Sequence, residues 1–358
     1  MACSTREDRT SWTPAVDRLT ATTRGGNDYL ASYHPDTSSI RFLQFADFKP
    51  GPGGFSAHGM DVLPVEGDTK GAIWVYAVNH RMPIGPDGKP LDATVHGQNS
   101  TIELFRLDDV DSHELKHVKT FADPIIATPN DVVGRADGKG FWFTNDNGAR
   151  KVGLARNLAM LPTSLPFSHT SNVAYCHTTK GCKIAADGLH AANGITANLR
   201  PAKTSDAHDD GVSQPQVNGT FYVANALRGG VTVLELVDDG GALVKVESIP
   251  TEYPIDNLSL DQGGHLWAAG LPQLWDMVFK MFVDGETRVA SSAFRISKNT
   301  GTGAFFGERY TVSKMFQNNG SLASASTSVV FDRERELLYL SGVAAPWLTV
   351  CNTKGLEI

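Results

Sequence analysis

The sequence has no long uninterrupted apolar run, no basic cluster and no apolar segment near its beginning. A membrane-spanning helix needs about 20 apolar residues in succession, and no stretch of this chain reaches that length. The net charge of −7, from 32 Lys and Arg against 39 Asp and Glu, gives no sign of nucleic-acid binding. The first eight residues lack the apolar core of a signal peptide. We therefore expect neither a nucleic-acid partner nor a membrane span, and leave the oligomeric state open.

Cysteine is also scarce, with four residues in 358. Cys176 and Cys182 flank a short polar stretch, which predicts a hairpin and a disulfide between its two strands. Cys3 and Cys351 lie at opposite ends of the chain, which suits a bond that ties the termini together. Both pairings indicate an oxidising compartment and hence secretion, whereas the N-terminus offers no export signal, so localisation stays open. Three sequons would carry glycans only in an exported protein: Asn99, Asn218 and Asn319.

Helical periodicity is also rare in this sequence, whereas short β-rich runs are frequent. Such runs occupy residues 16–23, 72–80, 140–146, 220–226, 265–270 and 337–343, and each follows a cluster of turn residues. About six units on the scale of four strands each favour an all-β fold, a six-bladed β-propeller, over a sandwich. We expect one propeller domain over residues 1–358, a helical segment at 271–287, and loops at 82–97 and 201–217.

Acids and amides stand at the boundaries of several of these runs. Asn130 and Asp131 are adjacent, and neighbouring residues of an extended segment point to opposite faces, so the two could serve two separate oxygen-ligand sites. In a propeller, corresponding ends of the inner strands converge on the mouth of one central tunnel. Similar residues recur in other units: Glu7, Asp8, Asn193, Asp256 and Asn257.

These residue types suit calcium, which prefers carboxylate and amide oxygens. Two carboxylates, Glu7 and Asp256, with the amides of three asparagines would satisfy much of the coordination of one ion. Asp8 and Asp131 would then form a second site with a backbone carbonyl and water. The alternative is a set of ordinary turns at strand ends, in which Asn and Asp are common.

Nine short motifs carry a resemblance to a known family. None is specific alone, but they occur in the family's order over nearly the whole chain. They are Thr5-Arg6-Glu7-Asp8, Ala57-His58-Gly59-Met60, Val78-Asn79-His80, Ser100-Thr101-Ile102-Glu103-Leu104-Phe105, Pro129-Asn130-Asp131-Val132, Thr144-Asn145-Asp146, Ala192-Asn193-Gly194-Ile195, Asp256-Asn257-Leu258-Ser259 and Asn319-Gly320-Ser321. The chain resembles the paraoxonase/arylesterase family, calcium-dependent lactonases with a six-bladed propeller fold.

The resemblance implies two calcium ions in the central tunnel. It implies a catalytic calcium on five side chains: Glu7, Asn130, Asn193, Asp256 and Asn257. It implies a buried structural calcium on Asp8, Asp131 and the carbonyl of Met60. Cys351 matches a cysteine that the family bonds to an N-terminal cysteine.

The same resemblance implies three catalytic residues. His58 and His80 match the family's histidine pair, with His58 as the base and His80 as a proton shuttle, and Asp146 matches a neighbouring acid. Taken alone, each histidine is more often structural or exposed than catalytic. The chain departs from the family in a shorter N-terminal arm, so that the closing strand is expected to be missing or shortened. Its loops and the Cys176/Cys182 pair resemble those of fungal or microbial members.

We therefore expect a calcium-dependent hydrolase of lactones and aryl esters. Calcium would polarise the substrate carbonyl, His58 would take a proton from the attacking water, and His80 would pass it on. Within the same site, Glu7 or Asp256 could instead be the nucleophile or base. The rival from another class is a non-catalytic propeller that keeps calcium for stability and binds a ligand or partner. The histidine pair argues against that rival, because a scaffold needs no base beside the metal.

Overall fold

Antiparallel strands joined by short turns form most of the regular structure. The structure is a computed structural model that describes residues 1–19, 28–162, 165, 168–200, 218–305 and 307–356. The N-terminal part contains β1 (Ala2–Cys3), β2 (Trp12–Thr13), β3 (Arg18–Leu19), β4 (Tyr29–His34) and β5 (Ser39–Phe45). β1, β4 and β5 pair with one another, whereas β2 and β3 form a separate hairpin.

Four units of four antiparallel strands follow, each arranged in chain order. The first comprises β6 (Ala57–Pro64), β7 (Ile73–Arg81), β8 (Asn99–Leu107) and β9 (Glu114–Phe121), and the second β10 (Pro129–Gly134), β11 (Gly140–Asn145), β12 (Ser171–His177) and β13 (Gly181–Leu189). The third comprises β14 (Ala192–Arg200), β15 (Asn218–Asn225), β16 (Val231–Leu236) and β17 (Leu243–Ile249), and the fourth β18 (Ile255–Leu260), β19 (Leu266–Gly270), β20 (Ser291–Lys298) and β21 (Tyr310–Asn318). A three-stranded unit of β22 (Ser326–Asp332), β23 (Leu337–Gly342) and β24 (Thr349–Asn352) ends the series.

The units pack side by side through apolar clusters that combine residues of two neighbouring sheets. Trp142 of the second unit packs with Phe221 of the third, and Trp267 of the fourth with Phe331 of the last. The first strands β6, β10, β14, β18 and β22 contact one another in succession. This radial order of small sheets is propeller-like, and the all-β prediction is confirmed. β5 also pairs in parallel with β9, so that β1, β4 and β5 extend the first unit to seven strands; the count of six blades stays a prediction.

Short helices lie between the strands. They are α1 (Arg6–Ser11), a 3-10 turn (Pro14–Val16), α2 (Ala93–His96), α3 (Leu154–Ala159), α4 (Leu274–Asp276), which continues as a π-helical turn (Met277–Met281), and α5 (Thr302–Phe305). Among the described residues, no helix has the length and apolar character that crossing a membrane requires.

Two predicted elements differ from the structure. The expected strand at 16–23 is present only as Arg18–Leu19, because the 3-10 turn and the left-handed Asp17 (φ 62°) precede it; residues 20–23 lie outside the described part. The helical segment expected at 271–287 spans only 274–281, since a turn at Asp284 ends it with a hydrogen bond from Thr287 N–H. The other five strand predictions are confirmed with shifts of one or two residues, and the loop at 201–217 lies outside the described residues.

The predicted hairpin disulfide is confirmed. Cys176 of β12 stands directly opposite Cys182 of β13, and the two are bonded. The turn between these strands holds the two positions close, as the polar stretch in the sequence predicted. Neither Cys3 nor Cys351 forms a disulfide in the structure.

We expect unfolded but unreduced protein to release two thiols, from Cys3 and Cys351, and reduced protein to release all four. A thiol titration in denaturant, before and after reduction, measures both values. Four thiols before reduction would contradict the Cys176–Cys182 bond. None before reduction would mean that Cys3 and Cys351 pair in solution.

Candidate functional site

A β-bulge interrupts each of the five first strands near its beginning. The bulges lie between Ala57 and Met60 in β6, Pro129 and Val132 in β10, Ala192 and Ile195 in β14, Ile255 and Leu258 in β18, and Ser326 and Ser328 in β22. A bulge releases residues from regular pairing and re-aims their side chains. Six candidates lie inside the first four of these bulges, and Met60 ends the first bulge. The six are His58, Asn130, Asp131, Asn193, Asp256 and Asn257.

Two bulges contain a glycine where neighbouring first strands meet most closely. A Cβ on Gly59 would overlap the backbone of Asn130 and Asp131, and one on Gly194 would overlap the backbone of Asp256 and Asn257. No larger residue fits either position without moving β10 or β18. Glycine therefore lets the bulges of β6 and β10, and those of β14 and β18, lie against each other.

The Asp131 carboxylate links three first strands. It accepts a hydrogen bond from the Ile195 N–H of β14 (3.0 Å), and the Met60 N–H of β6 and the Val132 N–H of β10 also stabilise its charge. Burial nevertheless raises the pKa of Asp131 to about 7, with a smaller contribution from the nearby Asp61 carboxylate. The structure thus brings Asp131 and Met60 together, as the sequence predicted for one calcium site, although the observed contact uses the Met60 N–H.

Asp61 is a half-buried acid that the sequence analysis missed. It follows Met60 on β6, and its carboxylate accepts hydrogen bonds from Gly134 N–H (2.8 Å) and Val62 N–H (2.9 Å). Burial raises its pKa to about 6. The feature that could have identified Asp61 is its charge in the middle of the first strand β6.

Asp256 carries the most strongly perturbed of these carboxylates. Burial raises the pKa of Asp256 to about 8, and repulsion from Asp131 adds to the shift. Its neighbour Asn257 donates from Nδ2 to the Thr327 carbonyl of β22 (2.8 Å) and to Asp256 Oδ1 (3.0 Å). Two carboxylates that repel each other in a buried setting favour either protonation or a bound cation.

Two amide oxygens in the same bulges have no hydrogen-bond donor. Asn130 Oδ1 and Asn193 Oδ1 are buried, and neither finds a partner among the described residues. Leaving a buried acceptor unsatisfied costs about 1–3 kcal/mol, so such atoms normally face a ligand or an ordered water. A hard cation would satisfy both oxygens and neutralise the Asp131 and Asp256 charges, and therefore the residues fit calcium.

Within the described ranges, no three His, Cys, Asp or Glu side chains are grouped as a metal site. A cation at the bulges would therefore depend on amide and carbonyl oxygens beside its carboxylates. Calcium accepts such mixed oxygen sets.

Glu7 and Asp8 lie in helix α1 and not at the boundary of a strand. Glu7 is exposed, and Asp8 forms a capping pair with Thr5, whose hydroxyl accepts from Asp8 N–H (3.1 Å) and donates to its carboxylate (2.9 Å). Among the described residues, no hydrogen bond or ion pair joins either acid to the first-strand candidates. The sequence Thr5-Arg6-Glu7-Asp8 has the spacing of a capping box, which was the signal for a helix here.

Hydrogen bonds and ion pairs hold helix α1 beside the bulge of β6. Arg9 forms an ion pair with the buried Asp28 (3.1 Å) and donates to the Ala57 carbonyl (3.1 Å), and Arg6 pairs with Glu286. Asp28 in turn accepts from the Ala57 N–H (2.9 Å). These contacts place α1 next to His58.

The two predicted histidines form a hydrogen-bonded pair. His58 Nδ1 lies 2.8 Å from His80 Nε2, and His80 Nδ1 lies 2.9 Å from the Ser100 hydroxyl. His80 is 2% exposed, and Trp12 Nε1 donates to its carbonyl (2.8 Å). Burial lowers the pKa of His58 to about 3, with a smaller contribution from Arg9. His58 is therefore neutral near pH 7 and able to accept a proton.

Asp146 lies behind the bulge of β10. Its carboxylate accepts from Asn147 Nδ2 (2.9 Å) and from Asn130 Nδ2 (3.4 Å). Burial raises the pKa of Asp146, and the Arg156 charge opposes that shift. The bond to Asn130 orients that amide so that its oxygen is the atom left without a donor. Asp146 thus positions a candidate ligand.

The match to a family model identifies the class to which this chain belongs. The model described as Arylesterase matches residues 89–345, more than two thirds of the chain. This chain is a member of the arylesterase family. The resemblance to the paraoxonase/arylesterase family is thereby confirmed.

Individual relatives carry the paraoxonase name. The chain is 27% identical to serum paraoxonase/arylesterase 2 of Gallus gallus over 302 residues, which cover 83% of this chain and 69% of the relative. It is 26% identical to serum paraoxonase/lactonase 3 of Oryctolagus cuniculus, over 76% of this chain and 62% of the relative. Both relatives are vertebrate proteins, so a fungal or microbial source stays a prediction.

Solved structures match this chain only at low similarity. A candidate 6-phosphogluconolactonase of Bacteroides uniformis aligns over 92% of this chain and 90% of its own, with 12% identity and a TM-score of 0.45. A gluconolactonase of Xanthomonas campestris aligns over 83% of this chain and 86% of its own, with 13% identity and a TM-score of 0.35.

Proposed function

We propose that this protein is a calcium-dependent hydrolase of lactones and aryl esters, built as a single six-bladed propeller. Family membership supports the reaction class. The observation that carries the proposal is the pair of unsatisfied amide oxygens, Asn130 Oδ1 and Asn193 Oδ1. They lie in a series of bulges that also holds buried acids and one member of the histidine pair. The names of the curated relatives agree with an ester or lactone substrate.

Two calcium ions would divide the candidate residues between them. The ion at the tunnel mouth would be held by Asn130, Asn193, Asp256 and Asn257, with Glu7 reaching from α1. The second would be held by Asp131, the Met60 carbonyl and Asp8. The raised pKa values of Asp131 and Asp256 support a cation, because each carboxylate is buried and each repels the other.

Bound calcium would polarise the substrate carbonyl as a Lewis acid. The protein's own residues would manage the proton. His58 Nε2 would accept a proton from the attacking water, which requires the neutral tautomer with its hydrogen on Nδ1. That hydrogen donates to His80 Nε2, and His80 then carries its own hydrogen on Nδ1, facing the Ser100 hydroxyl. When His58 takes the water proton, its Nδ1 proton can pass to His80.

Asp146 would act on this site through Asn130. Its carboxylate holds the Asn130 amide nitrogen, which leaves the amide oxygen free for the cation. We therefore assign Asp146 a positioning role in the proposed reaction.

One observation favours a second candidate, a calcium-stabilised propeller without turnover. A base is most effective when its pKa lies near the working pH, and burial lowers the pKa of His58 to about 3. A base of this kind accepts a proton weakly. In an enzyme with such a histidine, Glu7 or Asp256 would be the alternative base or nucleophile.

Turnover of phenyl acetate and of a δ-lactone separates the two candidates. Calcium-loaded protein is expected to hydrolyse both, and metal-free protein is expected to lose activity by about 100-fold or more, because carbonyl polarisation is lost. Adding calcium back to the same sample should restore the rate. A calcium-loaded, folded protein that turns over neither compound would favour the scaffold.

A further inference from the structure

A cleft opens at the end of the strands opposite the bulges. It has a volume of about 230 Å³ and lies where β18 and β22 end, whereas their bulges lie at their beginnings. Asp256 in the bulge and Asp261 in the cleft are five residues apart, roughly 16 Å along an extended strand. The cleft is therefore separate from the histidine pair and from the candidate calcium ligands.

Two arginines line this cleft, and both keep free hydrogen-bond donors. Arg295 extends from β20 opposite Trp267, and its buried Nε makes no hydrogen bond. Arg333 follows β22, and its guanidinium lies over Gly263, where a Cβ would collide with it. Within the described part of the chain, neither guanidinium forms an ion pair or a side-chain hydrogen bond. Guanidinium groups elsewhere in this molecule do find acceptors, such as Arg9 with Asp28.

Two acids also line the cleft, Asp261 and Glu336, and the Asp261 carboxylate is already held in other contacts. Asp261 accepts from His265 N–H with one oxygen (2.9 Å) and from Trp267 Nε1 with the other (3.0 Å). Glu336 adopts the left-handed conformation (φ 54°), and its carbonyl accepts from the N–H (2.9 Å) and hydroxyl (2.8 Å) of Thr353. The acids offset the charge of the arginines, but the unused donors of the cleft belong to the guanidinium groups. A matching ligand has to present several acceptor oxygens.

We propose that this cleft binds the phosphate group of a small phosphate monoester. A guanidinium presents its donors as a planar fork that matches two oxygens of a phosphate, and two arginines can grip one phosphate together. The volume holds a phosphate with a short organic residue but is below that of a pocket for a drug-sized ligand. His265 lines the same cleft and adds a donor. Arg333 is exposed, so the site is open to solvent.

Inorganic phosphate is the probe, titrated calorimetrically into full-length protein at constant ionic strength, with calcium low enough to keep phosphate soluble. We expect saturable binding at one site, and we expect Arg333→Gln and Arg295→Gln each to weaken it about tenfold, because each loses a charge-assisted pair of hydrogen bonds. Arg309→Gln is the matched control, since Arg309 is exposed and faces Glu247 outside the cleft. It should bind phosphate as the unchanged protein does. Glycerol 3-phosphate should bind at least as tightly as phosphate.

Arg333→Gln gives the firmest test, because an exposed side chain is dispensable for folding. Unchanged phosphate binding in this variant and in Arg295→Gln would overturn the proposal. So would a response that chloride reproduces at the same ionic strength, which would indicate an adventitious ion only. Tighter binding of acetate than of phosphate would overturn the assignment to phosphate. Because the cleft is remote from the bulges, these variants should hydrolyse phenyl acetate like the unchanged protein, which keeps this test independent of the proposed reaction.

Discussion

Metal-free protein is expected to melt roughly 10 °C below calcium-loaded protein at pH 8, and the difference should shrink as the pH falls to 5. A ligand present at 1,000 times its Kd stabilises the native state by about 4 kcal/mol, and each kcal/mol shifts the Tm of a domain of this kind by about 2–4 °C. Unchanged melting after complete calcium removal would contradict the proposed calcium sites.

The pH dependence follows from the buried carboxylates of the first strands. Without metal, burial raises the pKa of Asp131 to about 7 and that of Asp256 to about 8, well above their ordinary value of 3.8. The folded metal-free protein therefore binds protons more tightly than the unfolded chain. That contribution to stability is fully present below about pH 4 and is lost as the pH rises through 7 and 8. Calcium competes with these protons, so its stabilising effect should grow over the same interval.

Thermal melts at several pH values, with protein dialysed free of metal and protein in excess calcium, measure this difference. Asp256→Asn serves as the test variant, because it removes one charge and keeps the shape of the side chain. Its metal-free form should lose less stability between pH 5 and 8, and calcium should raise its Tm by less. Asp131→Ala should fail to fold in both conditions, since the N–H groups of Ile195 and Met60 lose their acceptor.

His58→Gln is expected to lower the hydrolysis of lactones and aryl esters by roughly two to four orders of magnitude, the usual contribution of a general base. Calcium affinity and Tm should stay nearly unchanged, because among the described residues the side-chain hydrogen bond of His58 goes to His80 and not to a candidate ligand of the cation. The acid limb of kcat/KM in the unchanged protein should lie well below pH 6.5, since burial lowers the pKa of His58 and its neutral form persists to lower pH.

Three variants, measured at saturating calcium across pH, serve as comparisons. His80→Gln should be milder than His58→Gln if His80 only relays the proton. Asn193→Ala should weaken calcium binding, and added calcium should partly restore its activity. A His58→Gln protein with full lactonase activity and the same acid limb would refute the histidine mechanism and favour a carboxylate as the base.

Local patterns in the sequence were sufficient for several features. The disulfide between Cys176 and Cys182 follows from a short polar turn. Such a turn places the residues on either side of it opposite each other on two paired strands. The strands at Ile73–Arg81 and Gly140–Asn145 follow from β-branched and aromatic residues bounded by turn clusters. The family resemblance rests on ordered motifs, and the family model confirms it.

Other features depended on contacts that no local pattern contains. Residues 5–8 were expected at a strand boundary, but the capping pair of Thr5 and Asp8 begins helix α1 there. Asp61 can be recognised as part of the candidate site only from the packing of β6 against β10. In that arrangement its charge raises the pKa of Asp131, and its carboxylate accepts from Gly134 N–H. The cleft between Arg295 and Arg333 joins residues from different sheets, and no spacing in the chain connects them.

By itself, the sequence determined the all-β class, the family, the hairpin disulfide and the types of residue at the candidate site. These depend on residues near one another in the chain, or on motifs that keep their order. The tertiary structure alone decided that bulges in five first strands meet, that Asn130 and Asn193 keep unsatisfied oxygens, and that His58 and His80 share a hydrogen bond. Such placements arise from the packing of sheets that are distant in the chain. The energy of packing depends on the shapes and charges of all neighbours together, and no single segment of sequence contains it.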